Sequence, residues 1–110
     1  MGINYKVLAQ QEITTANYPF DAYTVPSNTE TIVSTIAICN RGNSAHTYSI
    51  GVRVDGATYD NKQYIAYNAP IGAYETVFLT IGVTMDASDI FLVMSDSTDL
   101  SFSLFGSEIS

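Results

Sequence analysis

The 110-residue sequence predicts an all-β protein, a single antiparallel β-sandwich (jelly-roll or Ig-like) of about eight strands over residues 1–110. Three observations predict it. Apolar residues recur with period 2 and nowhere hold a helical period. Strand-length runs follow one another at intervals of about 10–14 residues. Clusters of Asn, Asp, Gly, Pro and Ser separate those runs, as tight turns require.

Taken in order, Tyr5–Ile13 (YKVLAQQEI) and Phe20–Pro26 (FDAYTVP) read as strands of weaker pattern. Glu30–Asn40 (ETIVSTIAICN) puts Ile32, Ile36 and Ile38 on one face and Val33, Ala37 and Cys39 on the other. His46–Asp55 (HTYSIGVRVD) places Tyr48, Ile50, Val52 and Val54 inward, opposite Thr47, Ser49, Gly51, Arg53 and Asp55. Gln63–Ile71 (QYIAYNAPI) is a further weak strand, and Pro70 blocks one ladder bond, which suits a sheet edge. Tyr74–Met85 (YETVFLTIGVTM) sets Val77, Leu79, Ile81, Val83 and Met85 inward against Thr76, Phe78, Thr80 and Thr84. Asp89–Asp96 (DIFLVMSD) is apolar on both faces, the mark of a central strand, and Leu100–Gly106 alternates with Leu100, Phe102 and Leu104 inward. The turns fall at NYP, VPSN, NRGNS, VDGATYDN, NAPIG, DASD and DSTD.

Composition narrows the function. Only 14% of residues are charged, against about 25% in an average soluble domain, and the difference is made up by Thr, Ser, Asn, Tyr and Gly. Eleven acidic residues against Lys6, Arg41, Arg53 and Lys62 leave a net charge of −7. Four scattered cations make no phosphate-binding track, so neither nucleic acid nor an anionic membrane is an expected partner. One cysteine, Cys39, rules out an internal disulfide and a Cys-based zinc site. The start MGINYKVLAQ has no apolar run for a signal peptide, and Lys6 stands where a myristoylation motif wants Ser or Thr. The expectation is a soluble protein, neither exported by a signal nor anchored.

The stretch IAICNRGNSAHTYSI holds the sole cysteine, the sole histidine and one of two arginines. Cys39 and His46 suggest a nucleophile and its base, but no orienting group or oxyanion hole accompanies them. Strand parity gives a plainer reading, in which Cys39 ends one strand, NRGNS is a hairpin loop, and His46 opens the next strand on its apolar side. Arg41 is then a cation at a loop tip, suited to pairing with a neighbouring carboxylate. The acids of DASD and DSTD fall short of a calcium loop, and turn hydrogen bonding accounts for them. No catalytic residue, metal site or cofactor is expected.

Eight Tyr and no Trp is a skewed set, with Tyr59, Tyr64 and Tyr67 close together. Tyr suits interfaces and sugar platforms because it buries a ring and leaves a polar tip wet. Tyr64 and Tyr67 have opposite parity, so one should point inward and one outward. Arg41, Tyr59, Tyr64 and Tyr67 are therefore the candidate subunit-contact residues.

The blocks YKVLAQ, YTVPSNT, ICNRG, NKQYIAYNAPI and SFSLFGSEI, in that order, resemble small virion structural proteins of tailed bacteriophages, cyanophages in particular. The likeness spans nearly the whole chain. It implies a non-enzymatic structural component of the virion, assembled in the host cytoplasm, and foremost a capsid decoration (cement) protein. A tail, baseplate or fibre component and a host-glycan-binding module are the alternatives. The implied partners are the major capsid protein or tail and baseplate proteins, and the implied state is a homo-oligomer, with a trimer as the family analogue.

Overall fold

Val, Ile, Thr, Tyr and Phe fill the runs that form strands, because branched and aromatic side chains pack well on a pleated surface. The computed structural model describes residues 2–110. Its eight strands are β1 (Ile3–Glu12), β2 (Phe20–Thr24), β3 (Glu30–Asn40), β4 (His46–Arg53), β5 (Tyr64–Ile71), β6 (Thr76–Met85), β7 (Ile90–Ser95) and β8 (Leu100–Ile109). They form two four-stranded antiparallel sheets, ordered β1-β8-β3-β6 and β2-β7-β4-β5. Only β4 and β5 are consecutive strands paired in one sheet; every other connection crosses between sheets. That is the order of an eight-strand jelly roll, and it decides between the two sandwich types the sequence allows.

The core lies between the sheets. Val33, Ile36 and Ile38 of β3 and Leu100, Phe102 and Leu104 of β8 meet Tyr48 and Ile50 of β4 and Phe91 and Val93 of β7. As its two-faced apolar pattern requires, β7 is an interior strand. Leu92, on its other face, is fully buried yet lies outside this core. Leu92 stands in register with Gly51, and a Cβ at Gly51 would come within 2.4 Å of the Gln63 carbonyl oxygen. The segment between β4 and β5 therefore folds back over that sheet, and Gly51 is the residue that lets it approach.

A line of bulges crosses the first sheet. Register slips between Val7 and Ala9 on β1, and between Val33 and Thr35 on β3, both fall opposite the Phe105–Gly106 step of β8 or next to it. On β6 the same level spans Thr80 to Val83, with Gly82 at φ 59°. Each bulge inserts a residue and resets the alternation. Val33 consequently turns inward with Ile36 and Ile38, in place of Ile32, and Ile81 becomes exposed. Gly106 sits where the strands close up, and a Cβ there would stand 1.9 Å from the Ile32 carbonyl oxygen.

Two further expectations are corrected. Val54 is exposed because β4 ends at Arg53 and a 3-10 turn, Val54–Gly56, follows. The NRGNS segment is not a hairpin, since β3 and β4 lie in different sheets.

Candidate functional site

The NRGNS crossing is organised by Asn40, which is almost wholly buried. Its Nδ2 donates to the Ser44 carbonyl at 2.8 Å and to the Gly72 carbonyl at 3.0 Å, while its Oδ1 accepts from the Gly42 amide at 2.9 Å. Arg41 is held against its own chain. Its Nε donates to Ser101 Oγ at 3.0 Å and its Nη2 to the Thr98 carbonyl at 2.8 Å, with Glu12 at 3.7 Å. The guanidinium thus ties the crossing to β8 and still keeps an exposed flank.

Cys39 and His46 do not form a pair. Cys39 stands beside Ser101 and Thr76 on the outer face of the first sheet, whereas His46 pairs with Ile71 in the second. His46 lies between two carboxylates, with Nδ1 3.5 Å from Asp96 and Nε2 3.8 Å from Asp99. Asp96 also accepts the Thr47 amide at 3.0 Å, and in the other acidic turn Asp89 accepts the amides of Asp55 and Asp86. Among the described residues no three His, Cys, Asp or Glu side chains group closely enough to hold a metal.

Tyr59 belongs to a cluster on the second sheet. Its hydroxyl donates to Asp21 Oδ1 at 2.8 Å, Arg53 pairs with the same oxygen at 2.8 Å, and the guanidinium carbon lies 4.2 Å from the centre of the Tyr59 ring. Burial, followed by the bond to Asp21, pushes the Tyr59 hydroxyl up to about 12. Tyr64 and Tyr67 turn out to share a face. An extra residue, Ile65, sits between Tyr64, opposite Gly51, and Ala66, opposite Ile50, and this undoes the parity. Their rings touch edge to face at 4.8 Å and, with Asn61, line a small cleft of about 280 Å³.

The surface that sequence reasoning missed is the outer face of the first sheet. Lys6 reaches inward to Glu108 at 2.6 Å, so its neighbours Tyr5 and Val7 point out. Val77 and Leu79 pack on the core, so Phe78 between them points out as well, and it is 68% exposed. Ile3, Tyr5, Val7 and Phe78 are exposed there, on the two opposite edge strands of the sheet, and Ile81 is exposed at the β6 bulge. The alternation through TVFLT already carries the signal for Phe78. For Ile81 the bulge hides it.

No family model matches the chain, and no curated protein matches it. Among solved structures, the chain is similar to one from the acidic stable capsid of Helicobacter pylori bacteriophage KHP30. The match has a TM-score of 0.54 and 15% identity, and covers 99% of this chain and 98% of that one. A second similar chain is from the Gx strain of infectious bursal disease virus, with a TM-score of 0.52 and 10% identity. It covers 97% of this chain but 30% of the viral one. At these identities the likeness is one of fold: the jelly roll is shared nearly from end to end.

Proposed function

We propose that the chain is a non-enzymatic structural component of a tailed-phage virion, a decoration (cement) protein that docks on the head shell and stabilises it through subunit contacts. The observation that carries this reading is the end-to-end fold match with a phage capsid chain of nearly the same extent. The exposed apolar side chains on the edge strands of the β1-β8-β3-β6 sheet, Ile3, Tyr5 and Val7 on β1 and Phe78 on β6, are suited to contacts with neighbours in a lattice, on a chain of net charge −7. The partners in this reading are the major capsid protein and further virion proteins, and the location is the assembled particle.

The test is the location of the chain in disrupted, fractionated particles. Co-purification with tail-less heads is expected. Recovery with isolated tails would replace the decoration role by a tail, baseplate or fibre role, and absence from particles would end both.

The Tyr64–Tyr67 cleft favours a second reading, a host-glycan-binding module, because two angled phenol rings beside an amide suit a sugar ring. Loss of glycan or cell binding in a Tyr64→Ala, Tyr67→Ala variant would support it. Unchanged binding would remove it.

A further inference from the structure

Six non-glycine residues among those described hold a positive φ. Asn17, Asn28, Asp55 and Asn68 are of the types that enter the left-handed region readily, and Ser88 is small. The sixth is Tyr74, at φ 56° in the turn between β5 and β6, where a bulky side chain is a steric outlier. Its turn is built like that of Ser88. Glu75 Oε1 accepts the Gly72 amide at 2.7 Å as Asp89 Oδ2 accepts the Asp86 amide at 2.9 Å. The Glu75 and Asp89 amides donate back to the Gly72 and Asp86 carbonyls, each at 3.1 Å. The Tyr74 amide donates to the Gly42 carbonyl at 3.0 Å, and the Ser88 amide to the Val25 carbonyl at 3.1 Å. The fold thus uses the backbone at both positions, and at position 88 a serine suffices. At position 74 it holds a phenol ring 72% exposed, with no stacking or hydroxyl partner among the described residues.

We propose that Tyr74 is the anchor by which this chain docks, inserted into a basic-rimmed pocket of another protein. That this protein is the head-shell protein rests on the decoration reading. Strain held at an exposed side chain that packs on nothing points to function. Tyr is among the residues that dominate binding energy, and a turn this firmly bonded presents its ring at little ordering cost. Charge selects the counterpart. Glu75 adjoins Tyr74, and Asp99 lies against Gly42, where a Cβ would stand 2.2 Å from its Oδ2. Asp96 lies across His46 from Asp99. Arg41 is turned back onto Thr98 and Ser101, Lys6 pairs with Glu108 and Arg53 with Asp21. Lys62 by itself makes no basic rim, so a second copy of this chain offers no pocket for the tip, and the net charge of −7 opposes its approach.

The test compares Tyr74 variants with the native chain, both isolated and on tail-less heads freed of it. Tyr74→Gly and Tyr74→Asn remove the ring and suit a positive φ. Both should leave the urea midpoint of the isolated chain unchanged or higher, and should weaken binding to heads by roughly tenfold or more. Tyr74→Phe keeps the ring and should bind within about threefold of the native chain. Binding of the native chain should weaken as salt rises. A lower midpoint in both Tyr74→Gly and Tyr74→Asn makes the ring structural and overturns the proposal. Salt-independent binding overturns it as well, as does self-association of the isolated chain that depends on Tyr74. Head binding that survives Tyr74→Gly ends this inference alone, whereas a native chain that does not bind heads ends the decoration reading and this inference with it.

Discussion

The Tyr23 hydroxyl donates to the carboxylate of Glu108, joining β2 of one sheet to β8 of the other across 85 positions of sequence. The same hydroxyl lies 2.9 Å from Thr31 Oγ1, and Lys6 closes the group on the far side of the carboxylate at 2.6 Å. Four side chains from four strands thus seal one flank of the sandwich with polar contacts. They do so at the end of the sandwich where β8 turns Gly106 and Glu108 inward, beside Lys6 on β1 and Thr31 on β3.

Glu108 makes the fold sensitive to acid. The Lys6 ammonium, and next the Tyr23 hydroxyl, hold its carboxyl below the usual value of 4.5. A carboxyl depressed in the folded state contributes stability that is present above the unfolded value and is lost as pH falls through the folded one. Glu108→Gln is therefore expected to cost about 1–2 kcal/mol at pH 7, in line with a hydrogen-bonded ion. The gap between the two proteins should shrink once the pH drops below about 4.5. Urea unfolding of both at a series of pH values measures it, and a gap independent of pH would refute the assignment.

Tyr23 acts at the other end of the scale. Burial, with the Glu108 bond next, pushes its hydroxyl up to about 12 from the ordinary 10. The proton is held more tightly in the folded state, so this contribution is complete below about pH 10 and fades as the pH climbs toward about 12. Tyr23→Phe should lose stability relative to the native chain at about pH 7, with the difference narrowing above about pH 10. Burial also raises the hydroxyls of Tyr48 and Tyr64, so absorbance titration should show one late-ionising tyrosine fewer in the variant than in the native chain.

Asn40 is the residue on which the β3–β4 crossing depends. Replacing it with Ala leaves the carbonyls of Ser44 and Gly72 and the amide of Gly42 without their partner. A loss of about 2–3 kcal/mol is expected for buried groups left unpaired. Arg41→Ala, which removes bonds from an exposed side chain, should cost less than about 1 kcal/mol. Thermal melts of the two variants rank them, and a reversed order would mean that the arginine, not the amide, fixes the loop.

The number, order and faces of most strands are legible in the sequence because period 2 reports directly which side chains meet a core. That reading fails where backbone irregularity resets the period. Parity sets Tyr64 and Tyr67 on opposite faces, and the extra residue at Ile65 puts them on one. Ile32 and Val33 exchange roles at the β3 bulge, and Ile81 leaves the core at the β6 bulge. NRGNS has the residues of a hairpin, yet the same turn chemistry serves a crossing between sheets. Only the pairing partners, which are remote in sequence, tell the two apart. Of the four candidate contact residues, Arg41 and Tyr59 make bonds within the chain that no local pattern announces. The edge character of β6 is likewise a property of sheet order.

Gly106 tests the bulge row itself. Any side chain at this position drives a Cβ into the Ile32 carbonyl and toward Leu8, at 1.9 and 3.1 Å, so β3 and β8 must part or the bulge must move. Gly106→Ala is expected to cost about 2–3 kcal/mol, the range for overpacking against backbone that has little freedom to shift. Gly82→Ala meets no atom within 4 Å and bears only the strain of φ 59°, about 1 kcal/mol. Chemical denaturation of both single variants compares the two costs. If Gly106→Ala proves the milder, close strand approach at Phe105–Gly106 is not what holds the sheet in its bent register, and backbone conformation at the β6 bulge carries that role instead.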